Sequence, residues 1–382
     1  MQDTAPRIGM VAGEASGDLL ASLLLAGLRA RWPALSAQGI GGPRMAKAGF
    51  EAWWPSHKLS IFGYVDALLN LRELLAIRRR LGDRLLAAPP SVFVGIDAPD
   101  FNFGLEQRLR EAGIKTVHFV CPSIWAWRAE RVEKIKKAAD HVLCLFPFEP
   151  ALLRQHGIAA TYVGHPLADA IPLEPPKAAS RTALGLDDGT TVVALLPGSR
   201  KSEIRYIAPP LLQAAVLMAR ARPGLRFVMP VAPGLRELVE PLVRAHAPDL
   251  ALDLLDGRSH EALAACDLTL VASGTATLEA ALFKKPMVIA YKVGALNWWR
   301  MKGKNYQPWV GLPNVLAREF LVPELIQHDC TPAALAREGL AWLDDPARVA
   351  RLRERFVEQH ETLRRDTARV AADAIAQVLG RA

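Results

Sequence analysis

The sequence predicts an α/β protein of two halves, each a parallel sheet covered by helices. Short and almost wholly apolar runs recur along the 382 residues, and they alternate with segments of helical length. Such runs are typical of strands that are buried on both faces. The chain is also too long for one ordinary core, so two domains are expected. A proline-rich stretch at residues 173–180 is the best candidate for the linker between them.

The charge balance points to an anionic partner. Lys and Arg outnumber Asp and Glu by 47 to 39, which gives a formal net charge of +8. Nucleic acid, acidic lipid and a phosphorylated substrate all fit this excess. The four cysteines show no CxxC spacing and predict neither a zinc site nor a disulfide framework. A secretory signal and an apolar run long enough to span a bilayer are both missing from the sequence, so a cytoplasmic protein is expected.

A glycine-rich turn follows the first predicted strand, Arg7–Ala12, and precedes a leucine-rich helix. This turn, GEASGD at residues 13–18, lies where α/β proteins bind ligands, at the carboxyl edge of the sheet. Its glycines do not form a GxGxxG motif, and the Glu14 carboxylate would repel a pyrophosphate. We therefore expect Glu14, Ser16 and Gly17 to contact a sugar hydroxyl.

Residues 59–86 have the most unusual composition in the chain, an apolar run with a single charge followed by five arginines. On a helix, the apolar side can lie among acyl chains while the arginines meet anionic headgroups. The same pattern also fits an ordinary core helix, and the sequence does not choose between the two. Under the first interpretation the membrane-contacting residues of this segment include Ile61, Phe62, Val65, Leu68 and Leu69.

Asp97 follows the apolar strand predicted at residues 91–96 and is the best candidate for a general base. A carboxylate at the carboxyl end of a buried strand faces the ligand crevice, within reach of an incoming hydroxyl. The alternative is a helix N-cap, the role that we also predict for Asp100. Glu14 and His118 remain alternative proton acceptors.

The second half begins with the segment that most strongly predicts an anion-binding site, VALLPGSRK at residues 193–201. An apolar strand ends at a Pro-Gly break, and Ser199 is placed to cap the helix that follows. Backbone N–H groups, a helix dipole and a guanidinium then converge on one point, which favours phosphate. Gly198, Ser199 and Arg200 are the predicted contacts.

A second turn of the same kind lies at residues 272–279, ASGTATLE. Ser273, Gly274 and Thr275 lie between a predicted strand and a helix start, so backbone donors again converge on an anion. Glu279 lies one helical turn after Thr275, on the same face of the predicted helix. Its carboxylate can accept hydrogen bonds from both hydroxyl groups of a ribose. Together the two turns predict a nucleotide site.

Residues 297–309 interleave three Trp and one Tyr with basic residues and contain no acid. This mixture, which includes Trp298 and Trp299, suits a membrane interface and also single-stranded nucleic acid. The GLPN sequence that follows would return Asn314 to the ligand. The chain contains no carboxylate pair at metal-ligand spacing, so no metal or other cofactor is expected.

Seven motifs together resemble the lipid-A-disaccharide synthase family over nearly the whole chain: VAGEASGD, FVGIDAPDFN, PSIWAWR, LLPGSRKSE, LLDG, ASGTATLE and GLPN. The resemblance implies an inverting, metal-independent glycosyltransferase of GT-B-type fold, with two Rossmann-like domains that face a cleft and with C-terminal helices. It implies that UDP-2,3-diacylglucosamine and 2,3-diacylglucosamine 1-phosphate are joined into the β(1→6) disaccharide of lipid A, with release of UDP. The expected location is the inner face of the cytoplasmic membrane of a Gram-negative bacterium, with no nucleic acid as partner.

The resemblance also implies residue roles. Asp97 is similar to the family's proposed catalytic base, Arg200 to the arginine that serves the diphosphate, Glu279 to the ribose ligand and Asn314 to a nearby donor. It implies an acceptor and membrane-contacting domain at residues 1–170 and a UDP-sugar domain at residues 171–345. Residues 346–382 are expected to be a helical segment that packs on the N-terminal domain of its own chain or of a partner in a homodimer.

Two rival functions remain at this point. A UDP-sugar 2-epimerase shares this fold, and it would need neither acyl chains nor a membrane. A basic RNA-binding or membrane-coat protein would use the Trp- and Lys-rich stretch, and would bind RNA in a salt-sensitive manner without any effect of UDP.

Overall fold

The computed structural model describes residues 5–13, 15–59, 64–126, 130–295, 298–299 and 307–381. The chain forms two compact units. One contains residues 1–169 and 362–382, and the other residues 170–361. The boundary between the two units lies before the predicted linker at residues 173–180. The last residues of that linker belong to a helix, Lys177–Ala183, in which Ser180 and Arg181 are buried. Residues 346–361, which we expected to group with the C-terminal segment, belong to the second unit.

The first unit is built on seven parallel strands in the order β3-β2-β1-β4-β5-β6-β7. The order reverses between β1 and β4, so the carboxyl ends of these two strands meet at a switch point, where ligands bind in open α/β sheets. The strands are β1 Arg7–Ala12, β2 Ser36–Gly41, β3 Glu51–Pro55, β4 Val92–Ile96, β5 Lys115–Phe119, β6 His141–Cys144 and β7 Ala160–Tyr162.

Helices cover both faces of this sheet. They are α1 Ala15–Arg31, α2 Pro43–Lys47, α3 Tyr64–Ala87, α4 Pro99–Glu111, α5 Arg131–Ala138, α6 Glu149–Gln155 and α7 Pro166–Ala170. Asp100 does not cap α4 as predicted. The N-cap residue is Ala98, and Asp100 lies in the first turn, where both its carboxylate oxygens lie 2.9 Å from an Arg131 nitrogen.

The second unit is built on six parallel strands in the order β10-β9-β8-β11-β12-β13, again with a switch point, between β8 and β11. The strands are β8 Val192–Leu196, β9 Arg226–Val231, β10 Leu252–Asp256, β11 Leu268–Ala272, β12 Met287–Tyr291 and β13 Glu324–Ile326. The helices are α8 Lys177–Ala183, α9 Lys201–Ala221, α10 Arg236–His246, α11 Ser259–Ala265, α12 Thr275–Leu282, α13 Leu312–Ala317, α14 Pro332–Leu343 and α15 Pro346–Leu363, whose last two residues belong to the first unit.

The last helix, α16 Thr367–Val378, packs on the first unit of its own chain. Its buried alanines and Ile375 share a core with Leu24 and Leu28 of α1. Gly27 allows this close approach, because a Cβ at that position would lie 2.2 Å from the carbonyl oxygen of Ala368. Within the described ranges, no helix is both long and apolar enough to cross a bilayer.

Candidate active site

The second unit contains a cavity of about 390 Å³ at the carboxyl ends of β8, β9 and β11. Three of the predicted binding segments meet there: the turn after β8, the turn after β11 and the first turns of α12. The lining includes Gly198, Ser199, Arg200, Glu203, Pro230, Ala232, Pro233, Gly257, Ser259, Ser273, Gly274, Thr275 and Glu279. The structure therefore brings together the predicted contacts of this unit other than Asn314.

The turn after β8 differs in two respects from the prediction: in its N-cap residue, and in the N–H groups of Ser199 and Arg200, which bond Glu203 instead of being free for an anion. Ser199 does not cap α9; the N-cap residue is Arg200, and Glu203 reaches back to form a capping box. Its carboxylate accepts the N–H groups of Ser199 at 2.9 Å and of Arg200 at 3.2 Å. Gly198 has a φ of 111°, and a Cβ there would lie 2.4 Å from the Glu203 carboxylate, so the turn requires glycine.

The guanidinium of Arg200 lies at the mouth of this turn. Its Nη1 lies 3.3 Å from Glu203 Oε1, and 61% of the side chain is exposed. An exposed ion pair of this kind contributes little to stability. Arg200 is thus able to turn toward an anion in the cavity.

The N-terminus of α12 supplies backbone donors to the cavity. Gly274, with a φ of 144°, forms the N-cap, and the N–H groups of Thr275 and Ala276 have no preceding helical carbonyl to bond, whereas that of Thr277 donates to the Gly274 carbonyl oxygen at 3.1 Å. The Ser273 hydroxyl donates to the carbonyl oxygen of Val310 at 3.2 Å, and the Thr277 hydroxyl donates to that of Gly274 at 2.8 Å. These bonds fix the turn before any ligand binds, and an anion at this point also meets the positive end of the helix dipole.

Glu279 lies one helical turn further along α12, on the cavity wall. Its Oε2 lies 3.5 Å from His260 Nε2, and 20% of its side chain is exposed. The carboxylate is therefore accessible to a ligand and lies beside the His260 ring. At this position the carboxylate can accept hydrogen bonds from the hydroxyl groups of a ribose.

Asn314 is placed differently from our prediction. Its side-chain nitrogen donates to Val322 O and Glu324 Oε1, and its oxygen accepts the N–H groups of Leu321 and Val322. Both amide hydrogens and both lone pairs are thus used within the protein, and the residue is fully buried. A direct contact between Asn314 and a ligand does not agree with this geometry.

Asn314 instead supports the cavity wall through Glu324. The Glu324 carboxylate accepts the N–H groups of Val310 and Gly311, and Val310 in turn accepts the Ser273 hydroxyl. Burial raises the pKa of Glu324, while these donors act in the opposite direction. Sequence reasoning missed this role because the partner, Glu324, lies ten residues away on a strand that was not predicted.

In the first unit, Asp97 lies directly after β4, next to the switch point. Asp97 and Ala98 both adopt left-handed backbone conformations, with φ values of 50° and 43°. This conformation is uncommon for non-glycine residues and clusters at functional sites. The Asp97 N–H donates to the carbonyl oxygen of Phe119 at 2.9 Å, which fixes the turn to β5.

The turn after β1 lies beside the Asp97 turn. A Cβ built on Gly13 would lie 3.3 Å from the Cβ of Ala98, and one on Gly17 would lie 3.8 Å from the carbonyl oxygen of Ile96. Gly17 is buried and Ser16 is exposed at this edge, while Glu14 lies outside the described residues. Asp18, which the sequence analysis did not single out, accepts three N–H groups at the start of α2.

His118 is an unsuitable proton acceptor for a substrate in this structure. The side chain is fully buried, and its Nδ1 lies 2.8 Å from Glu106 Oε1. It lies on β5 as the register partner of Gly95, behind the turn that carries Asp97. Asp97 is therefore favoured over His118 as the general base.

The predicted membrane-contacting residues are only partly described. Ile61 and Phe62 lie outside the described residues, as do the side chains of Val65, Leu68 and Leu69 within α3. Further along α3, Leu71 and Leu75 are 46% and 43% exposed, whereas Ile77, Leu81 and Leu85 are buried in the core. Trp299 is 75% exposed and Trp298 is partly buried. The α3 helix thus contributes buried residues to the core, as one interpretation predicts, and it also carries the exposed Leu71 and Leu75.

Three potential metal ligands lie close together at the carboxyl ends of β5 and β6. Cys121 Sγ, Cys144 Sγ and a Glu149 oxygen lie within 4.8 Å of one another, all buried. Each Glu149 oxygen already accepts a hydrogen bond, one from Trp125 Nε1 and one from the Phe146 N–H, both at 3.0 Å. Burial raises the pKa of Glu149 to about 8. The hydrogen bonds account for this carboxylate without a metal ion.

Comparison with known proteins identifies the family. A family model described as lipid-A-disaccharide synthetase matches residues 8–378. This chain belongs to the lipid-A-disaccharide synthase family. A lipid-A-disaccharide synthase from Albidiferax ferrireducens is 58% identical over 378 residues, which cover 98% of this chain and 97% of the relative. One from Burkholderia pseudomallei is 58% identical over 380 residues, covering 99% and 98%.

The chain is therefore a glycosyltransferase of lipid A biosynthesis, and the predicted family is confirmed. Solved structures confirm the GT-B-type fold. A UDP-GlcNAc 2-epimerase from Neisseria meningitidis, bound to UDP-GlcNAc, has a TM-score of 0.66 at 13% identity and covers 98% of this chain and 100% of its own. The glycosyltransferase of kitacinnamycin has a TM-score of 0.64 at 15% identity, covering 98% and 99%. At these identities the likeness concerns the fold alone.

Proposed function

We propose that this member of the lipid-A-disaccharide synthase family transfers the sugar of UDP-2,3-diacylglucosamine to the 6-hydroxyl of 2,3-diacylglucosamine 1-phosphate. The products are the β(1→6) disaccharide 1-phosphate and UDP, with inversion at the anomeric carbon. The observation that carries the proposal is the second-unit cavity, in which a helix N-terminus, an exposed arginine and an accessible carboxylate line one space.

The donor half of the reaction is assigned to this cavity. The ribose hydroxyls donate to Glu279, and the diphosphate accepts from the first turn of α12 and from Arg200. When the bond between the anomeric carbon and the diphosphate oxygen breaks, its electron pair leaves with UDP. Fixed N–H groups and a guanidinium stabilise that developing charge.

The acceptor half is assigned to the carboxyl edge of the first sheet. The acceptor 6-hydroxyl attacks the anomeric carbon from the side opposite the diphosphate, and its proton passes to the Asp97 carboxylate. Ser16 and Gly17 lie beside the Asp97 turn, where they contact the sugar. The new bond joins the acceptor oxygen to the anomeric carbon, so charge and atoms balance without a further reactant.

Release of UDP that depends on the acceptor tests this reaction. Purified enzyme, the donor and the acceptor in mixed micelles should yield one UDP per disaccharide, and omission of the acceptor should stop UDP release. Stable binding of UDP without any such turnover would contradict the proposed reaction. An epimerase would instead change the donor sugar in the absence of acceptor.

We further propose that the exposed side of α3 contacts the membrane that holds the acylated substrates. Leu71 and Leu75 are exposed on this helix beside Arg72, Arg79 and Arg80, which are exposed as well. Apolar side chains beside basic ones favour an interface of anionic lipid. Trp298 and Trp299 are assigned to the same surface because residues 297–309 combine aromatic and basic side chains.

Replacing both Leu71 and Leu75 by Ser should weaken binding to vesicles that contain anionic lipid by about tenfold, because two leucines no longer enter the acyl region. Vesicle sedimentation measures the effect, and the thermal midpoint should change little since both residues are exposed. Ile77→Ser is the matched control from the same helix, because this buried residue should destabilise the fold. Unchanged vesicle binding of the double variant would remove α3 from the membrane contact.

A further inference from the structure

Behind the Asp97 turn, three buried polar side chains converge over one glycine. A Cβ built on Gly95 would lie 2.0 Å from Glu106 Oε1 and 3.0 Å from the Cγ of Asn102. His118 is the register partner of Gly95 on β5. Asn102, Glu106 and His118 are each fully buried. The missing side chain at residue 95 thus makes room for a polar cluster inside the sheet–helix layer.

The first member of this cluster holds the backbone of the proposed base. The amide nitrogen of Asn102 lies 2.8 Å from the carbonyl oxygen of Asp97 and 3.4 Å from that of Ile96. These two carbonyls flank the point where the chain leaves β4 and enters the left-handed pair Asp97–Ala98. A strained conformation persists only where surrounding contacts determine it. The Asn102 amide is such a contact.

The other two members form a hydrogen-bonded pair next to it. Glu106 lies one helical turn after Asn102 on α4, and its Oε1 lies 2.8 Å from His118 Nδ1. The ring of Phe103 packs on His118 with centroids 4.8 Å apart, which fixes the ring from the side of α4. Position and orientation of all three side chains are therefore determined within the fold.

Stability alone does not explain this cluster. Among the described residues, Asn102 Oδ1, Glu106 Oε2 and His118 Nε2 have no hydrogen-bond partner, although all three atoms are buried. A buried polar atom without a partner destabilises a fold, and apolar side chains of similar size would pack here at lower cost. Proteins retain such arrangements where a functional site requires them.

We propose that Asn102, Glu106 and His118 are positioning residues for Asp97. Asn102 holds the left-handed turn that directs the carboxylate toward the acceptor hydroxyl, and the Glu106–His118 pair keeps Asn102 in place across Gly95. None of the three touches substrate in this role. The inference rests on the proposed function, in which Asp97 accepts the acceptor's proton.

A double-mutant cycle tests the proposal. Asn102→Ala should lower kcat about 10- to 100-fold through misplacement of the base, with both KM values and the UDP affinity within about twofold. In the Asp97→Asn background the same change should cause no further loss, because the group that Asn102 positions is already absent. Glu106→Ala should behave like Asn102→Ala. Glu106→Gln should stay within about threefold of the parent, since its amide oxygen still accepts from His118.

A merely structural role gives a different pattern. If Asn102→Ala lowers kcat by the same factor in the parent and in the Asp97→Asn background, the positioning role is contradicted. An unchanged kcat of Asn102→Ala in the parent would contradict it as well. Normal turnover of Asp97→Asn would contradict both the assignment of Asp97 as the general base and the positioning role that depends on it. This single variant is enough to show that outcome. If Asn102→Ala does not fold, Glu106→Ala and Glu106→Gln complete the same cycle.

Thr116→Val is the matched control. Thr116 is a buried polar residue of β5, the strand that also carries His118. Its hydroxyl donates to the carbonyl oxygen of Ala138 at 2.8 Å. This bond lies at the opposite end of β5 from the Asp97 turn. The variant should lower the thermal midpoint and leave kcat within about twofold.

Discussion

Replacing Asp97 by Asn should lower kcat by about 100- to 10,000-fold, because the amide keeps the shape of the carboxylate but cannot accept a proton. UDP affinity should remain within about twofold, since the described residues that line the proposed nucleotide cavity belong to the second unit. Steady-state turnover together with calorimetric titration of UDP separates the two effects.

Asp100→Asn is the control for Asp97. It changes a carboxylate three residues further along the same segment, one that is 81% exposed and paired with Arg131. Turnover of this variant should stay near that of the parent. Near-normal turnover of Asp97→Asn would show that another group takes the proton, and Glu14 would then be the next candidate.

Replacing Arg200 by Ala should lower kcat/KM by about 100- to 1,000-fold, because a charged donor to the leaving diphosphate is lost. Arg200→Lys should recover only part of this loss, since an ammonium keeps the charge but not the forked geometry of the guanidinium. UDP titration and steady-state kinetics of both variants measure the effect.

Arg205→Ala is the matched control, since Arg205 is an exposed arginine of the same helix that does not line the cavity. It should leave kcat/KM within about twofold. Equal losses in the Arg200 and Arg205 variants would indicate a general effect of charge on the anionic donor, and not a contact at the diphosphate.

Much of the fold follows from local pattern. The periodicity predicts α9 with the bounds that the structure shows, Lys201–Ala221, and β1 Arg7–Ala12 likewise. Central strands such as β4 are continuous apolar runs, so they are recognised without any long-range information. The edge strand β3 contains exposed and partly buried residues, and its short mixed sequence gives no such signal.

The lining of the cavity was predictable where short turns follow apolar strands, as at residues 198–200 and 273–275, although the N–H groups of Ser199 and Arg200 bond Glu203. It was not predictable where the partner comes from a distant element. Glu203 was not expected to take the N–H groups of Ser199 and Arg200, because serine is a favoured N-cap residue and arginine is not. The contact of Glu106 with His118 joins a helix to a strand, and only tertiary packing brings these two residues together.

The most direct test of this account is a crystal structure of the enzyme with UDP. We expect the diphosphate within hydrogen-bonding distance of the first-turn N–H groups of α12 and of the Arg200 guanidinium, and the ribose hydroxyls on the Glu279 carboxylate. Well-ordered UDP bound away from residues 198–200 and 273–279 would contradict the account.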